Sequence, residues 1–339
     1  MTVRVLIASP LEPRLVERIA AVDGRLDVVY RPELLGTPRY AGDHTPPVQR
    51  SDAQEAEWNQ LLASAEVMFD VDRPNARAGL RERAPALRWV QASSSGVGEW
   101  IKRLGLLDAP VQVTNAAGIH AVPLAEFAVF AMLYFAKRMP LVQADRAQRR
   151  WERFAGDRLR ARTLGIIGLG QVGREIARVS KALGMRVIGM RRTAGAVEGV
   201  DEVFGRDGLH ALLEQSDYVV LMAPYTSETD TLLDAHAIGR MKHGAVLINV
   251  ARGNLLDEAA LLDALHSGRL AGAAQDVFRT EPLPADSPFW ELPNVLITPH
   301  SMSTAIGENE LLVDLFCDNL RRYLDGQPLR NLVDKARGY

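Results

Sequence analysis

A glycine-rich run over residues 163–173, Thr-Leu-Gly-Ile-Ile-Gly-Leu-Gly-Gln-Val-Gly, constrains the fold more than any other feature of this chain. A short apolar stretch leads into Gly168-x-Gly170-x-x-Gly173, and a helical pattern follows over residues 174–183. In a strand–turn–helix unit that binds a dinucleotide, the first glycine permits a tight turn and the second lets the backbone approach the pyrophosphate. The third lets the helix pack closely on the strand. We therefore predict a dinucleotide site here, although any α/β protein can contain a glycine-rich turn.

The residues after the next predicted strand indicate which dinucleotide is bound. In NAD sites an acid stands about 20 residues past the glycines and accepts a hydrogen bond from the ribose 2′-hydroxyl. Here the strand at residues 186–189 is followed by Arg191 and Arg192 instead. Because guanidinium groups bind phosphate in a bidentate fork, this pair favours a 2′-phosphate, although a solvated basic loop is the alternative. The sequence predicts NADP(H) as the preferred cofactor, with NAD(H) possible.

Composition limits the classes of protein that remain. A length of 339 residues suggests two domains, and a net charge of −2 argues against a nucleic-acid or anionic-membrane partner. The single cysteine, Cys317, excludes an intrachain disulfide framework and thiolate metal clusters, and it fits a reducing compartment. Residues 1–8 form a strand pattern rather than a signal peptide, and the most hydrophobic run is too short for a bilayer. We expect a cytoplasmic protein without a metal site.

Short β-rich apolar runs alternate with helical patterns, which predicts an α/β protein with two doubly wound parallel sheets. The first series of strands is expected near residues 3–8, 27–30, 66–69, 87–92 and 111–114. The second is expected near residues 164–168, 186–189, 218–222, 245–250, 271–277 and 294–298. A final helix at residues 308–324 is expected to return to the first domain. We predict a Rossmann cofactor domain at 118–302, inserted in a flavodoxin-like substrate domain at 1–117 and 303–339, with an interdomain cleft.

Three polar residues follow predicted strands of the second series, on the edge where open α/β sheets bind ligands. They are Arg252, Glu281 and His300. An arginine can hold a substrate carboxylate and polarise a carbonyl, and a histidine can supply a proton to the carbonyl oxygen. A glutamate close to the imidazole would favour the protonated ring. Taken singly, each residue is also compatible with an ordinary surface or loop position.

Segments in the same order and at similar separations resemble the D-isomer-specific 2-hydroxyacid dehydrogenase family along nearly the whole chain. They are residues 163–173, 248–253, 276–278 with 281–283, 298–300, and 113–127, which resembles the hinge and first cofactor-domain helix. The resemblance implies that Arg252 binds a 2-oxoacid, that His300 is the general acid/base, and that Glu281 tunes the histidine.

The resemblance also implies further contacts. Backbone amides of the turn at Ser95, Gly96 and Val97 would hold the substrate carboxylate, although Gly98 stands where many relatives have an acid. The remaining cofactor contacts would be Gln171 and Val172 at the pyrophosphate, Met222, Ala223 and Pro224 at the adenosine, and Val250 and Asp276 at the nicotinamide. Trp100, Trp290 and Met302 are candidates for the substrate pocket. Trp151 is interpreted as an arm residue that reaches a neighbouring subunit, or as a core or interface aromatic.

Together with the arginine pair, the resemblance implies an NADPH-preferring reductase that converts small 2-oxoacids, similar to glyoxylate and hydroxypyruvate, into D-2-hydroxyacids. A homodimer is expected from the resemblance and from the apolar helix at residues 127–136. Phosphoglycerate dehydrogenase is a close alternative, and formate dehydrogenase relatives are a more distant one. A nucleotide-sensing corepressor of the same fold is an alternative from another class.

Overall fold

A computed structural model describes residues 2–71, 79–193 and 195–338 of the chain. The chain forms two compact units. The first consists of Met1–Ile119 together with Thr304–Tyr339, and the second consists of His120–Ser303. Among the residues that the structure describes, no helix is both long and apolar enough to cross a membrane.

The N-terminal unit contains a five-stranded sheet in which every pairing is parallel. Its strands are β1 (Val3–Ile7), β2 (Leu26–Tyr30), β3 (Val67–Phe69), β4 (Trp89–Gln91) and β5 (Gln112–Thr114). The helices of this part of the chain are α1 (Pro13–Ala20), α2 (Asp52–Ser64), α3 (Leu80–Arg83) and α4 (Gly98–Arg103). The strand order β2-β1-β3-β4-β5 is the flavodoxin-like order.

The second unit contains a seven-stranded parallel sheet of order β12-β11-β10-β9-β6-β7-β8. Its strands are β6 (Thr163–Ile167), β7 (Arg186–Met190), β8 (Glu202–Phe204), β9 (Tyr218–Leu221), β10 (Ala245–Asn249), β11 (Leu270–Gln275) and β12 (Val295–Ile297). Its helices are α5 (Ala121–Ala136), α6 (Met139–Ala147), α7 (Gln171–Ala182), α8 (Leu209–Gln215), α9 (Ala235–Arg240) and α10 (Glu258–His266). This is the order of dinucleotide-binding sheets with one strand added, so the predicted fold class is confirmed. The sequence interpretation missed the three-residue edge strand β8.

The strand order reverses between β6 and β9, and the loops after these two strands lie against each other. Gly168 has a φ of +112°, and a Cβ there would lie 2.6 Å from the carbonyl carbon of Met222. The Met222 amide donates to the Ile167 carbonyl at 2.8 Å. Only glycine accommodates both this backbone conformation and this close approach. Open α/β sheets bind ligands outside the carboxyl ends of the strands at such a reversal, so the glycine turn lies at the expected ligand edge.

Both faces of the seven-stranded sheet are buried, which explains why its strands are almost continuously apolar. On one face Ile167, Val219 and Leu247 pack in a cluster that includes side chains of α8, α9 and α10. On the other face Ile166 and Val220 pack in a cluster with side chains of α5 and α7. Successive strand residues therefore belong to opposite clusters, as the alternation of side chains along a strand requires.

The last helix, α11 (Glu308–Leu324), has the bounds expected from its periodicity and packs on the N-terminal sheet. The ring of Phe316 lies 5.2 Å from the rings of both Phe69 and Trp89. The buried Asn319 donates from Nδ2 to Oε1 of Gln91 at 3.2 Å. Cys317 is also buried in this cluster, as a packed thiol. The final part of the chain thus completes the core of the N-terminal unit.

Helix α5 has one buried and one exposed apolar face. Ala128 and Met132 are fully buried, whereas Val122 and Phe130 are 54% and 52% exposed. Trp151, which follows α6, is 98% exposed. The interpretation of Trp151 as a core aromatic is therefore wrong for the single chain, because its indole ring has almost no neighbours to exclude water.

Candidate active site

The turn after β10 positions Arg252. The side chain of Asn249, the last residue of β10, accepts from the Ala251 amide at 3.1 Å and donates to the Arg252 carbonyl at 3.2 Å. This local bonding turns the chain sharply at the strand end. A Cβ on Gly253 would lie 2.0 Å from the carbonyl carbon of Phe278, so the glycine lets this turn pack against the segment after β11. That packing brings Arg252 towards the loop that carries Glu281.

Both carboxylate oxygens of Glu281 have a hydrogen-bond partner. Oε1 accepts from the Phe278 amide at 2.9 Å, and Oε2 lies 2.8 Å from Nδ1 of His300. A carboxylate that contacts one ring nitrogen fixes the orientation of the imidazole and leaves Nε2 on the opposite side of the ring. The His300 side chain is 42% exposed, so part of the ring is accessible to solvent.

The backbone at His300 is held in a conformation that most residues avoid. Its φ is +51°, in the left-handed region where histidine is one of the tolerated residues, and its amide donates to the Asp276 carbonyl at 2.8 Å. The Asp276 carboxylate, which is buried, accepts from the Thr298 hydroxyl at 2.7 Å and the Ser301 amide at 3.0 Å. Asp276 therefore ties the histidine loop to the end of β11.

This role of Asp276 was not predicted from the sequence, which indicated only a contact with the nicotinamide. The sequence does contain a pattern that could have indicated it. An apolar strand is followed directly by Asp276, and the hydroxyl residues Thr298 and Ser301 stand on either side of His300. The register that brings β12 beside β11, with Ile297 opposite Gln275, cannot be derived from those residues.

The charges of the three residues are coupled. Burial lowers the pKa of the Arg252 guanidinium below its ordinary value, and the negative charge of Glu281 opposes that change. Burial would raise the pKa of Glu281, but the hydrogen bonds from His300 and Phe278 and the charges of His300 and Arg252 lower it overall. The site therefore presents an anchored carboxylate, an accessible imidazole and a partly buried guanidinium, a set that can bind an anion and transfer a proton.

The glycine turn fits a dinucleotide. Gly170 is the N-cap residue of α7, and no side chain among the described residues caps the first amides of that helix. A Cβ on Gly170 would meet nothing within 4 Å, whereas one on Gly173 would lie 2.1 Å from the Gly168 carbonyl oxygen. Open space in front of uncapped amides is what a pyrophosphate requires. Gln171 is exposed and Val172 is partly buried at the same helix start.

The other predicted cofactor positions lie at the carboxyl ends of neighbouring strands. Arg191 and Arg192 directly follow β7, with Arg191 partly buried and Arg192 exposed. After β9, Met222 is partly buried, Ala223 buried and Pro224 exposed, and Val250 is buried after β10.

The predicted substrate residues of the N-terminal unit precede α4. The Ser95 carbonyl accepts from Nδ2 of Asn115 at 3.1 Å, and the side chain of Val97 is fully buried, so the turn of Ser95, Gly96 and Val97 is anchored from both sides. Trp100 packs in the core of this unit.

The two other pocket candidates belong to the second unit. Trp290 is half-exposed and donates from Nε1 to the Pro284 carbonyl at 2.9 Å. Met302 is partly buried against the cluster that contains the α5 and α7 side chains.

Comparison with known proteins identifies the family. Residues 129–301, about half of the chain, match the model of the D-isomer specific 2-hydroxyacid dehydrogenase NAD binding domain. The chain is 36% identical over 271 residues to the glyoxylate reductase of Korarchaeum cryptofilum, covering 75% of this chain and 78% of that protein. The chain belongs to the D-isomer specific 2-hydroxyacid dehydrogenase family. It is an NAD(P)-dependent oxidoreductase with a nicotinamide cofactor.

Solved structures agree with this assignment along the full chain. A D-isomer specific 2-hydroxyacid dehydrogenase from Xanthobacter autotrophicus Py2, solved with NADPH and MES, is 32% identical, with a TM-score of 0.81 and complete coverage of both chains. The NADPH-dependent glyoxylate/hydroxypyruvate reductase of Sinorhizobium meliloti, solved with NADP and sulfate, is 27% identical, with the same TM-score and coverage.

Phosphoglycerate dehydrogenases are also among the relatives. The chain is 31% identical to the D-3-phosphoglycerate dehydrogenase of Methanocaldococcus jannaschii over 75% of this chain, but it spans only 48% of that protein.

Proposed function

We propose that this protein is an NADPH-preferring reductase of small 2-oxoacids of the glyoxylate and hydroxypyruvate type, which it converts into D-2-hydroxyacids. The observation that carries the proposal is the 2.8 Å hydrogen bond between His300 and Glu281, beside Arg252 and in the same unit as the glycine turn. The names of the glyoxylate reductase and glyoxylate/hydroxypyruvate reductase relatives support the substrate class.

The three polar residues have complementary tasks in this proposal. Arg252 binds the substrate through its carboxylate and polarises the 2-carbonyl oxygen. His300 donates a proton from Nε2 to that oxygen, and Glu281 holds Nδ1 so that the ring keeps its orientation as it gives up its proton.

The cofactor residues follow from the glycine turn and the strands beside it. The start of α7, with Gly170, Gln171 and Val172, holds the pyrophosphate. Asp276 and Val250 lie at strand ends suited to the nicotinamide, and the bound cofactor supplies the hydride. Arg191 and Arg192 hold the 2′-phosphate, because they follow β7 where an NAD enzyme has an acid. The two solved relatives that contain NADPH or NADP support this preference.

We also propose a homodimer formed through α5. Val122, Phe130 and Leu133 project from one face of this helix and are exposed, and the neighbouring Trp151 and Phe154 are exposed as well. An apolar group of this kind on a folded chain is typical of a protein–protein interface. Light scattering of the purified protein should give the mass of two chains.

A substrate and cofactor panel tests the proposed reaction. The purified protein is assayed with glyoxylate, hydroxypyruvate, pyruvate and 3-phosphohydroxypyruvate, each with NADPH and with NADH. We expect the highest kcat/KM with NADPH and one of the first two acids, and D-glycerate from hydroxypyruvate on chiral chromatography. A preference for 3-phosphohydroxypyruvate would instead support the phosphoglycerate dehydrogenase alternative, and faster turnover with NADH would contradict the proposed cofactor.

A further inference from the structure

Strands β7 and β8 end side by side, at the edge where we place the 2′-phosphate. They pair in parallel with Met190 opposite Phe204, and the Arg191 amide donates to the Phe204 carbonyl at 3.2 Å. Arg206 follows β8 at the start of a 3₁₀ turn. This turn is pressed onto the strand, since a Cβ on Gly208 would lie 2.6 Å from Cβ of Phe204. Arg206 therefore leaves the sheet at the same edge as Arg191, one strand further out.

An acidic side chain from a third loop meets this edge. Glu228 lies in the segment after β9 and forms a hydrogen-bonded ion pair with Arg206. Its loop is braced by Thr229, whose Oγ1 donates to the Pro224 carbonyl at 2.8 Å and accepts from the Thr226 amide at 2.8 Å. Glu228 is thus carried by the continuation of the segment that we assign to the adenosine.

The same carboxylate also interacts with the arginine pair. The pKa of Glu228 lies below its ordinary value, first because of the hydrogen bond from Arg206 and the charge of Arg206, and then because of the charge of Arg192. Glu228 therefore lies within electrostatic range of two guanidinium groups, one from each of the loops after β7 and β8. Arg191, Arg192 and Arg206 supply three positive charges at this edge, and Glu228 supplies one negative charge.

We propose that Arg206 is a third cation of the 2′-phosphate site and that Glu228 is the internal anion that competes with the phosphate for it. This inference rests on the proposed NADP(H) preference and adds two residues to it. A phosphate monoester carries about −1.5 to −2 charges at neutral pH, against the single charge of a carboxylate. The 2′-phosphate can therefore draw Arg206 and Arg192 from Glu228, whereas a ribose 2′-hydroxyl leaves the ion pair in place.

Arg206 and Glu228 should consequently have opposite effects on the affinity for NADPH and little effect on the affinity for NADH. Removing the Arg206 charge removes a phosphate contact, so affinity for NADPH falls. Removing the Glu228 charge removes the competitor, so affinity for NADPH rises. NADH has no group that replaces Glu228, so its affinity changes little in either case.

Calorimetric titration of the whole protein with NADPH and NADH measures these effects without turnover. We expect Arg206→Gln to raise the Kd for NADPH about tenfold and the Kd for NADH less than about twofold. We expect Glu228→Gln to lower the Kd for NADPH about threefold, and to lose most of that effect in the presence of Arg206→Gln, because the two side chains act through one contact. Adenosine 2′,5′-bisphosphate and adenosine 5′-monophosphate, used as probes, should reproduce the same contrast.

Arg240→Gln is the matched control. Arg240 forms an exposed ion pair with Glu214 at 2.9 Å, and the two residues lie near the ends of α9 and α8, at the amino ends of the strands that follow these helices. An Arg206→Gln protein that binds both cofactors like this control would overturn the inference. So would a Glu228→Gln protein with unchanged or weakened NADPH binding.

The double variant Arg191→Ala/Arg192→Ala separates this inference from the proposed function. If it lowers NADPH affinity while Arg206→Gln does not, the cofactor proposal stands and the role of Arg206 is wrong. If Arg206→Gln changes the ratio of the Kd values for NADPH and NADH and the double variant does not, the proposed role of Arg191 and Arg192 is wrong.

Discussion

The two ends of the candidate site in the second unit are built in different ways. At the His300 end, the proposed catalytic groups are held by several hydrogen bonds within the protein, including those accepted by Glu281 and Asp276. At the arginine end, Arg192 and Arg206 are exposed side chains, and the ion pair of Arg206 with Glu228 lies in solvent.

This difference follows the chemistry that each end would perform. Proton transfer requires the donor within hydrogen-bond reach of one substrate atom, so a fixed imidazole is favoured. Discrimination between a phosphate and a hydroxyl requires charge more than exact placement, and exposed guanidinium groups provide charge while remaining screened by water and salt. We therefore expect large effects on turnover at the first end and smaller, salt-dependent effects on binding at the second.

The largest effect is expected for His300→Ala. His300 is the proposed proton donor, and it is the side chain that contacts Glu281 through Nδ1. Without it, kcat should fall roughly 10²- to 10⁴-fold. The Kd for NADPH should stay within about twofold, since the glycine turn lies in a different loop. Steady-state kinetics and calorimetry measure the two quantities. His243→Ala, an exposed histidine just before β10, is the control. Comparable activity in both variants would rule out the proton-transfer role.

A smaller effect is expected for Arg191→Ala/Arg192→Ala. Loss of charge-assisted hydrogen bonds should raise the Kd for NADPH about 10- to 100-fold and the Kd for NADH much less, with little change in kcat at saturation. In the wild-type protein, the difference in affinity between NADPH and NADH should become smaller as ionic strength rises, because these arginine side chains are near solvent. If the ratio of the Kd values for NADPH and NADH at low salt is the same in the variant as in the wild type, Arg191 and Arg192 do not bind the 2′-phosphate.

The smallest effect is expected for the pH dependence of stability at Glu281. Its pKa is lowered in the folded protein, so its charged form stabilises the fold above the unfolded pKa of about 4.5 and loses that contribution as the pH falls through the folded value. The Glu281 side chain is 36% exposed, and screening should keep the contribution below about 1 kcal/mol.

Chemical denaturation of wild type and Glu281→Gln measures this contribution. The difference in free energy of unfolding should be larger near pH 7 than near pH 3, and Glu214→Gln is the exposed control. A difference that stays constant over this range would contradict the stabilising role of the Glu281 carboxylate.

Local patterns carried much of the fold prediction. The strands of the second sheet are short apolar runs that end at turn residues, and α11 has a clear apolar period, so their positions could be read directly. The edge strand β8 was missed because three residues, Glu202–Phe204, are too few to show a period. For the site, Arg252, Glu281 and His300 were selected because each follows a strand, and their catalytic roles remain predictions.

The amino-acid sequence by itself determined where the glycine turn lies, which residues follow each strand, and that arginines occupy the place of a ribose acid. Those properties depend on near neighbours in the chain. The tertiary structure alone decided that Asp276 holds the histidine loop and that Arg206 meets Glu228, because each pair joins loops whose proximity depends on strand order and register. Hydrogen bonds across 22 or 25 residues leave no periodic trace in the sequence, since either partner alone is an ordinary polar residue.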